Sequence, residues 1–477
     1  MAKSRGKAEF QRLKGDRGRR DVRLKALASG PFHRSGRKIL VVKLSHFLYH
    51  CPQMHRIGAG VNRFYPINAM EMTVTKQTNM NIGGTKMKFN KWTLGLAAVG
   101  AVSLTSVAQA EEKMNALQTA MTSTTISGYV DTSMQWNPGT GNQNLPGYSF
   151  GGPDKADGFN LNVVQLTIAK PLDESEWAAG YRADLWFGPD ANALATGSPT
   201  SGDVGFENND FAIRQAYVAL RTPVGNGIDW KIGVFDGIIG YETLEDGNNP
   251  NMTRSYGFTI EPTTQTGLLG TYRFCDAISA SFGVANTVGP SINERANPPQ
   301  AESFKAYTAS LALTAPSDWG WLAGSTLYSG FITGFSSAAY NSTDSGGIQN
   351  SYYLGATVAT PVAGLKAGVA LDYGHVRHAL DNGDLNNAYA YALYLSYQAT
   401  EKMSLHGRAD MYRQQVVGGG PNNNEVYALT GTIQYDLWQN VLSRLEIRWD
   451  HSEDGQYGPD ADLKNAVMVA ANFIYKF

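Results

Sequence analysis

Apolar and polar residues alternate with a period of two along most of the chain from residue 124 onward. In residues 440–451, for example, Leu445, Ile447 and Trp449 alternate with charged residues. This pattern predicts β-strands with one apolar and one polar face. Sixteen segments carry it, at about 124–136, 158–170, 175–188, 209–222, 227–237, 264–274, 277–288, 302–315, 318–332, 348–361, 364–376, 386–399, 402–415, 424–437, 440–451 and 464–477.

The connections between these segments alternate between short and long. Residues 171–174 and 275–276 are short connections, whereas 137–157, 189–208 and 238–263 are long ones. Outer-membrane barrels have short periplasmic turns and long extracellular loops. The sequence therefore predicts an all-β fold, a 16-stranded antiparallel up-and-down transmembrane β-barrel with short periplasmic turns and long extracellular loops.

A soluble β-sandwich is the alternative, because it also contains many alternating strands. The segments here are about 11–14 residues long, whereas strands of globular proteins usually have five or six. Aromatic residues gather near the segment ends, as in the interfacial girdles of membrane barrels.

A helical membrane bundle is excluded because no apolar run reaches the roughly 20 residues needed to span a bilayer. Since lipid offers no hydrogen bonds to a sheet edge, we expect the sheet to close.

The first 110 residues differ in character from the rest. Residues 87–110 contain Lys88 and Lys91, then an apolar stretch, then an A-x-A motif ending at Ala110, and so predict a cleavable signal peptide. Residues 1–86 hold 18 Lys and Arg against 4 Asp and Glu. We expect this segment to be a disordered, mistranslated upstream extension; a basic nucleic-acid-binding arm is the alternative.

The predicted mature chain consists of a short periplasmic segment, 111–123, followed by the barrel, 124–477. It carries 20 basic and 37 acidic residues, a net charge of −17. An acidic exported protein is a poor binder of nucleic acid, whose phosphates repel it. We therefore expect no nucleic-acid partner.

The inward faces of the strands are expected to line water, because sixteen strands enclose an aqueous channel. Charged inward residues set the field that acts on passing ions. The alternation predicts basic pore-lining residues at Arg182, Lys231, Arg273, Arg408, Arg444 and Arg448. It predicts acidic ones at Asp131, Asp184, Asp372, Asp410 and Glu446.

The longest connection, 238–263, contains four acidic residues and several apolar ones. The acidic residues are Glu242, Glu245, Asp246 and Glu261. Long loops with their own packing residues are often functional. We expect this loop either to fold into the lumen as a constriction, with its acids facing the wall that carries Arg408, Arg444 and Arg448, or to pack on the barrel rim.

Four stretches of the chain resemble one known family: GYVDTSMQWNPG (128–139), DFAIRQAYVALRTPVGNGIDWKIGVFDGIIGYE (210–242), NNPNMTRSYGFTIEPTTQTG (248–267) and NFIYKF (472–477). They are similar to the OmpL-like β-barrel porin family of bacterial outer membranes. The likeness covers nearly all of 124–477 and none of 1–86. It implies an outer-membrane channel. A constriction loop is carried over from general porins, and 238–263 matches it by position and length.

The first functional hypothesis is a passive porin for small hydrophilic solutes and ions. The alternative is a structural or adhesive barrel with acidic surface loops. An enzyme is not expected, because no catalytic nucleophile motif is present. The sequence predicts neither a cofactor nor a metal site.

The predicted partners follow from an outer-membrane position. They are outer-membrane lipid and lipopolysaccharide, the transported solutes, and a homotrimer by analogy with general porins. The last strand alternates apolar residues up to Phe477. This ending resembles the signal that the barrel assembly machinery of outer membranes reads.

Overall fold

The computed structural model describes residues 123–198, 210–296, 304–336, 347–377, 385–416 and 424–477. The predicted signal peptide, residues 1–86 and most of 111–123 lie outside these ranges. The described part contains sixteen strands: β1 (Thr125–Trp136), β2 (Gly158–Lys170), β3 (Ala179–Phe187), β4 (Phe211–Thr222), β5 (Ile228–Asp236), β6 (Thr264–Cys275), β7 (Ile278–Ala285), β8 (Ala306–Thr314), β9 (Thr326–Ser336), β10 (Gly347–Ala359), β11 (Leu365–Arg377), β12 (Leu385–Gln398), β13 (Met403–Val416), β14 (Asn424–Trp438), β15 (Val441–Ser452) and β16 (Asn465–Lys476).

In the described residues, helical structure is confined to short connecting turns. These residues contain two α-helices, α1 (Asp190–Ala193) and α2 (Tyr256–Ile260), and three 3₁₀ turns at Pro153–Lys155, Asp246–Asn248 and Ser317–Leu322. Within the described ranges, no helix is both long and apolar enough to cross a membrane.

The sixteen strands form one closed barrel in which each strand pairs with its neighbours in the chain. All pairs are antiparallel, and β1 closes the sheet on β16 in a register that runs from Tyr129 opposite Lys476 to Trp136 opposite Val469. Closure gives every strand two hydrogen-bonded neighbours. The predicted all-β fold, a closed 16-stranded antiparallel barrel, is thus confirmed.

The two faces of the wall have opposite polarity, as β15 illustrates. Leu445 and Ile447 are exposed on the outside although they are apolar. Arg444, Glu446 and Arg448 point to the inside, where they are almost fully buried. An exposed apolar band around a polar interior reverses the usual arrangement of a soluble protein and suits a wall that contacts lipid.

The barrel has two different rims. Connections such as 223–227 and 276–277 lie at what we call the short-turn rim, and connections such as 137–157 and 237–263 belong to the long-loop rim. The wall is interrupted by a few bulges, for example where the register between β3 and β4 shifts after Asp184.

The strand boundaries differ from the predicted ones at several strands, among them β3 and β9. β3 begins at Ala179 rather than at residue 175, and β9 begins at Thr326 rather than 318 and extends to Ser336. The segment predicted as the start of β9 is instead the 3₁₀ turn Ser317–Leu322, in which Gly320 has φ 61°. Glycine favours that conformation, and the alternating tryptophans of the turn imitate a strand pattern.

The seam between β1 and the C-terminus is tightly packed. The Gly128 amide donates to the Phe477 carbonyl oxygen, and the Phe477 amide donates back, each at 3.0 Å. A Cβ atom at Gly128 would lie 2.0 Å from the Gln165 carbonyl oxygen and 2.7 Å from the Phe477 ring. Only glycine fits there without a shift of the backbone.

We expect the substitution Gly128→Val to weaken barrel closure, because overpacking of this kind costs about 1–3 kcal/mol. The measurement is the urea midpoint of unfolding, read by the heat-modifiable electrophoretic mobility of the refolded barrel. Gly407→Val is the matched control, since a Cβ at Gly407 meets no atom within 4 Å. Equal midpoints for the two variants would contradict the role of the seam.

Candidate functional site

Residues 237–263, which we call the inner loop, connect β5 to β6 and lie inside the barrel. The Tyr241 ring stacks on Tyr394 of β12 with 4.0 Å between centroids. Asn251 donates a 2.7 Å hydrogen bond to Thr432 of β14, and the Tyr256 hydroxyl donates to Asp450 of β15 at 2.8 Å. The loop therefore packs against the inward faces of strands on the far side of the barrel from β5.

Local sequence fixes the two ends of this loop. Gly240 has φ 119°, and a Cβ there would lie 2.2 Å from a Glu261 carboxylate oxygen, so the position requires glycine. At the other end, the Ser255 hydroxyl caps α2 by accepting from the Phe258 amide. The Ser255 amide and hydroxyl both donate to Glu242 at 2.7 Å.

Three wall arginines hold the backbone of the inner loop. Arg444 donates to the carbonyl oxygens of Asp246 and Asn249. Arg448 donates to the Arg254 carbonyl oxygen at 2.7 Å. Arg408 donates to the same carbonyl and forms a 2.9 Å ion pair with Glu242. A guanidinium presents several donors in a fixed fork, which suits this task.

Glu446 complements these arginines by holding amide groups of the loop. Its carboxylate accepts from the amides of Met252 and Thr253 at 2.6 and 2.9 Å, and from the Thr253 hydroxyl at 2.6 Å. Thr432 of the wall donates a fourth bond at 2.7 Å. The side chain has no exposed surface, and such charge-assisted bonds offset the cost of burying it.

The inner loop also reaches the opposite wall. Glu245 accepts from Arg182 of β3 at 3.1 Å and from Arg214 of β4 at 3.0 Å. Arg214 in turn pairs with Asp236 at the end of β5. The loop therefore spans the lumen between β3–β4 and β13–β15.

Arg214 is a functional candidate that the sequence analysis missed. The register shift between β3 and β4 turns both Arg214 and Gln215 toward the inside, so both are buried. Strict alternation allows only one of two adjacent residues on a face. The clustering of polar residues in AIRQAY was the available signal.

Several charged groups on the β3–β5 side of the lumen remain partly exposed. The side chains of Arg182 and Asp236 are each 32% exposed, and that of Glu245 is 23% exposed. The Lys231 ammonium lies 4.9 Å from the centre of the Tyr217 ring. They are the charges available to the solvent on this side of the barrel.

The other predicted acids are buried in hydrogen-bond or ion-pair networks. Asp131 accepts from Asn162 at 3.0 Å, and Asp184 accepts from Gln215 at 2.7 Å. Asp410 lies 3.1 Å from Arg408. Asp246 pairs with Arg254 at 2.7 Å within the inner loop.

Glu261 and Asp372 bring two carboxyl groups together where the loop returns to the wall. Burial raises the pKa of the Glu261 carboxyl well above its usual range, and the neighbouring Asp372 carboxyl raises this pKa further. The tight packing extends to α2, since a Cβ at Gly257 would lie 2.6 Å from an Asp372 oxygen. A neutral Glu261 therefore suits this contact.

Arg273 is the predicted lining residue that lies apart from this cluster. It is at the short-turn rim, where its side chain is 68% exposed and forms a 2.9 Å ion pair with Asp276. Alternation carries no information about how far along the barrel axis a residue lies. In the part of the chain that the structure describes, no group of three or more His, Cys, Asp or Glu side chains is arranged to hold a metal ion.

The structure differs from the prediction that the loop acids face a basic wall. That prediction implied an electric field across the lumen between the acids and Arg408, Arg444 and Arg448. In the structure the two surfaces are in direct contact. Within the loop, Arg444 and Arg448 bind carbonyl oxygens rather than carboxylates, and Arg448 also pairs with the Asp450 carboxylate of its own strand at 2.9 Å.

The first long connection covers the inner loop from the long-loop rim. The Phe150 ring lies between Trp186 and Phe258, at centroid distances of 5.8 and 6.1 Å. The Arg448 guanidinium lies 3.9 Å from the centre of the Tyr148 ring. The inner loop is therefore held by side chains from the wall and from a second loop.

Comparisons with known proteins agree with this architecture. Among solved structures, an anion-selective porin from Comamonas acidovorans matches with a TM-score of 0.52 at 12% identity, over 74% of this chain and 99% of that one. OmpF of Salmonella typhi in complex with daunomycin gives 0.49 at 10% identity, over 74% and 97%. The trimer form of OmpT from Vibrio cholerae gives 0.48 at 10% identity, over 74% and 99%. The first match supports the porin-type fold.

No curated protein sequence matches the chain. The family model described as "Putative beta-barrel porin-2, OmpL-like" matches residues 123–477. That match covers every strand of the closed barrel. The chain therefore belongs to the OmpL-like β-barrel porin family.

Proposed function

We propose that this porin forms a water-filled channel for the passive diffusion of small hydrophilic solutes and ions, narrowed by its inner loop. The observation that carries the proposal is a loop that crosses the lumen and is bound to both walls. Contacts on two opposite sides of the barrel support a fixed position for the loop. They come from Arg408, Arg444, Arg448 and Glu446 on one side and from Arg182 and Arg214 on the other.

The proposed eyelet lies between the inner loop and the β3–β5 wall. Arg182, Lys231, Asp236 and Glu245 would meet the solute, because they retain exposed surface there. Both signs of charge are present, so the eyelet would orient polar solutes rather than exclude one sign outright. Glu242, Asp246 and Glu261 would shape the loop from within.

The same proposal places the protein in the outer membrane. The predicted signal peptide ending at Ala110 would direct export, and the long-loop rim would face outward, as in other bacterial barrels. β16 and the Phe477 that follows it would present the assembly signal, and the exposed apolar band would contact outer-membrane lipid. A homotrimer is proposed by analogy with general porins. The proposed role is transport and includes no catalytic activity.

Refolded residues 111–477, the predicted mature chain, should produce stable stepwise conductance in planar bilayers. An open aqueous path is required for such steps, whereas a barrel fully plugged by its inner loop would be silent. The measurement is single-channel recording in KCl on protein whose folding is checked by heat-modifiable mobility. Silence from folded protein would contradict the porin proposal and favour a structural or adhesive barrel.

Release of the inner loop should enlarge the conductance. Glu446→Ala leaves the amides of Met252 and Thr253 without their acceptor, at a cost of about 1–3 kcal/mol for each unpaired buried group. We expect larger and noisier current steps. Thr253→Ala removes the hydroxyl bond from the loop side and is a milder second variant. Arg273→Ala, far from the loop, is the control. An unchanged step size in both Glu446→Ala and Thr253→Ala would contradict the constriction.

The charge of Glu245 should affect ion preference. Glu245→Gln removes the carboxylate that neutralises Arg182 and Arg214, so the eyelet becomes more positive. We expect the reversal potential in a KCl gradient to move toward anion preference. Glu453→Gln makes the same charge change on a side chain that is 63% exposed in an outer connection. Equal shifts in the two variants would show that Glu245 does not border the pore.

A further inference from the structure

The outer wall carries an apolar groove across β8, β9 and β10. Its volume is about 480 Å³. The side chains that line it from the lipid side are Ala309, Leu311, Ser329, Phe331, Tyr352 and Leu354. Small residues, Ala309 and Ser329, form the floor, and larger exposed ones form the sides. A smooth barrel wall has no such depression, so the groove offers a defined place for one hydrocarbon chain.

An aromatic row borders the groove on the side of the long-loop rim. Phe331, Tyr352, Tyr373 and Tyr389 occupy paired positions on β9, β10, β11 and β12. Successive ring centroids are 6.5, 6.0 and 5.0 Å apart. Aromatic residues of this kind mark the level at which a bilayer changes from hydrocarbon to headgroup. The groove therefore runs from the interface into the apolar band.

A row of hydrogen-bonding side chains follows directly above the aromatic row. Thr333 donates to Asn350 at 2.6 Å. On the next strands, the His375 ring and the Tyr373 hydroxyl both contact the side-chain oxygen of Asn387, at 2.9 and 3.0 Å. These groups lie two residues, about 7 Å, beyond the aromatic rings along each strand. They form a polar surface at headgroup level on the outside of the barrel.

Arg413 adds a positive charge to the same surface. It is the cross-strand neighbour of Tyr389 and faces outward on β13. Its Nε atom is buried without a hydrogen-bond partner. Its other cross-strand neighbour is Glu425 on β14, whose carboxylate accepts from the Tyr427 hydroxyl. Among the described residues, no carboxylate forms an ion pair with Arg413. An arginine that faces the membrane at headgroup level is stabilised by an anionic partner. The oxygens of a phosphate can accept several N–H groups of the guanidinium at once.

We infer that this surface binds a phosphorylated, multiply acylated glycolipid of the outer leaflet, with one acyl chain in the groove and a phosphate at Arg413. The distance favours this class over a two-chain phospholipid, since Arg413 lies three strands from β10, about 14 Å across the wall. A wide headgroup bearing several chains spans that distance. The inference rests on the proposed outer-membrane position.

Native mass spectrometry of the refolded chain in detergent tests this assignment, with deep-rough lipopolysaccharide or phosphatidylethanolamine as the added lipid. We expect the wild type to retain one lipopolysaccharide in preference to the phospholipid. Ser329→Phe fills the groove, and Arg413→Gln removes the charge. Each should lower the retained fraction about tenfold, the effect of losing roughly 1.4 kcal/mol of affinity.

Two control variants distinguish lipid binding at this site from nonspecific lipid binding elsewhere on the outer wall. Ala183→Phe enlarges an outward residue on β3, remote from the groove, and Lys402→Gln removes a positive charge at the short-turn rim; both should bind like the wild type. Any of three results would overturn the assignment: loss of lipopolysaccharide by the control variants, undiminished binding by both site variants, or equal retention of the phospholipid. A dimer that Ser329→Phe abolishes would assign the groove to a second copy instead.

Conductance of the same samples distinguishes this inference from the proposed function. Ser329 and Arg413 lie on the outer wall, so both variants should conduct like the wild type. Normal conductance without selective lipid binding would overturn only the lipid assignment. Selective lipid binding by a silent barrel would overturn only the channel.

Discussion

The structure depends on the requirement that every strand backbone be paired within the sheet. A membrane gives no hydrogen bonds to a free edge, so the first and last strands have to meet. They do so through paired amides and carbonyls of Gly128 and Phe477. Because that seam fixes the circumference, it also fixes which residues face each other across the lumen. The positions of the charged side chains inside are a consequence of closure.

Inside the barrel, buried charge is stabilised by the loop that it holds. A guanidinium or carboxylate without a partner would be costly in a packed interior. Here Arg444 and Glu446 find partners in the loop backbone, and the otherwise unpaired peptide groups of the loop find partners in the wall. Neither side would be satisfied alone. The loop and the charged wall are therefore best regarded as one folding unit, to which the ring contacts of Phe150 add apolar packing.

The fold was predictable because strand alternation is a local property of the sequence. The same alternation placed Arg408, Arg444, Arg448 and Glu446 on the inner face. It failed at Arg214, where a bulge turns two adjacent residues inward, and at the Ser317–Leu322 turn, where aromatic residues imitate a strand. The path of the inner loop, and hence the pairing of Glu245 with Arg182 and Arg214, depends on contacts between distant segments. No local pattern encodes such contacts.

Strand β15 holds the inner loop largely by the loop's main chain. Arg444 binds two carbonyl oxygens, Arg448 binds one, and Glu446 binds two amides. Peptide groups are common to all residues, so these bonds place little demand on which side chains the loop carries. Loop side chains that face the lumen and make no contact with the wall are free to change without releasing the loop. One barrel can thus acquire new solute preferences by substitution in a single segment, with its framework intact.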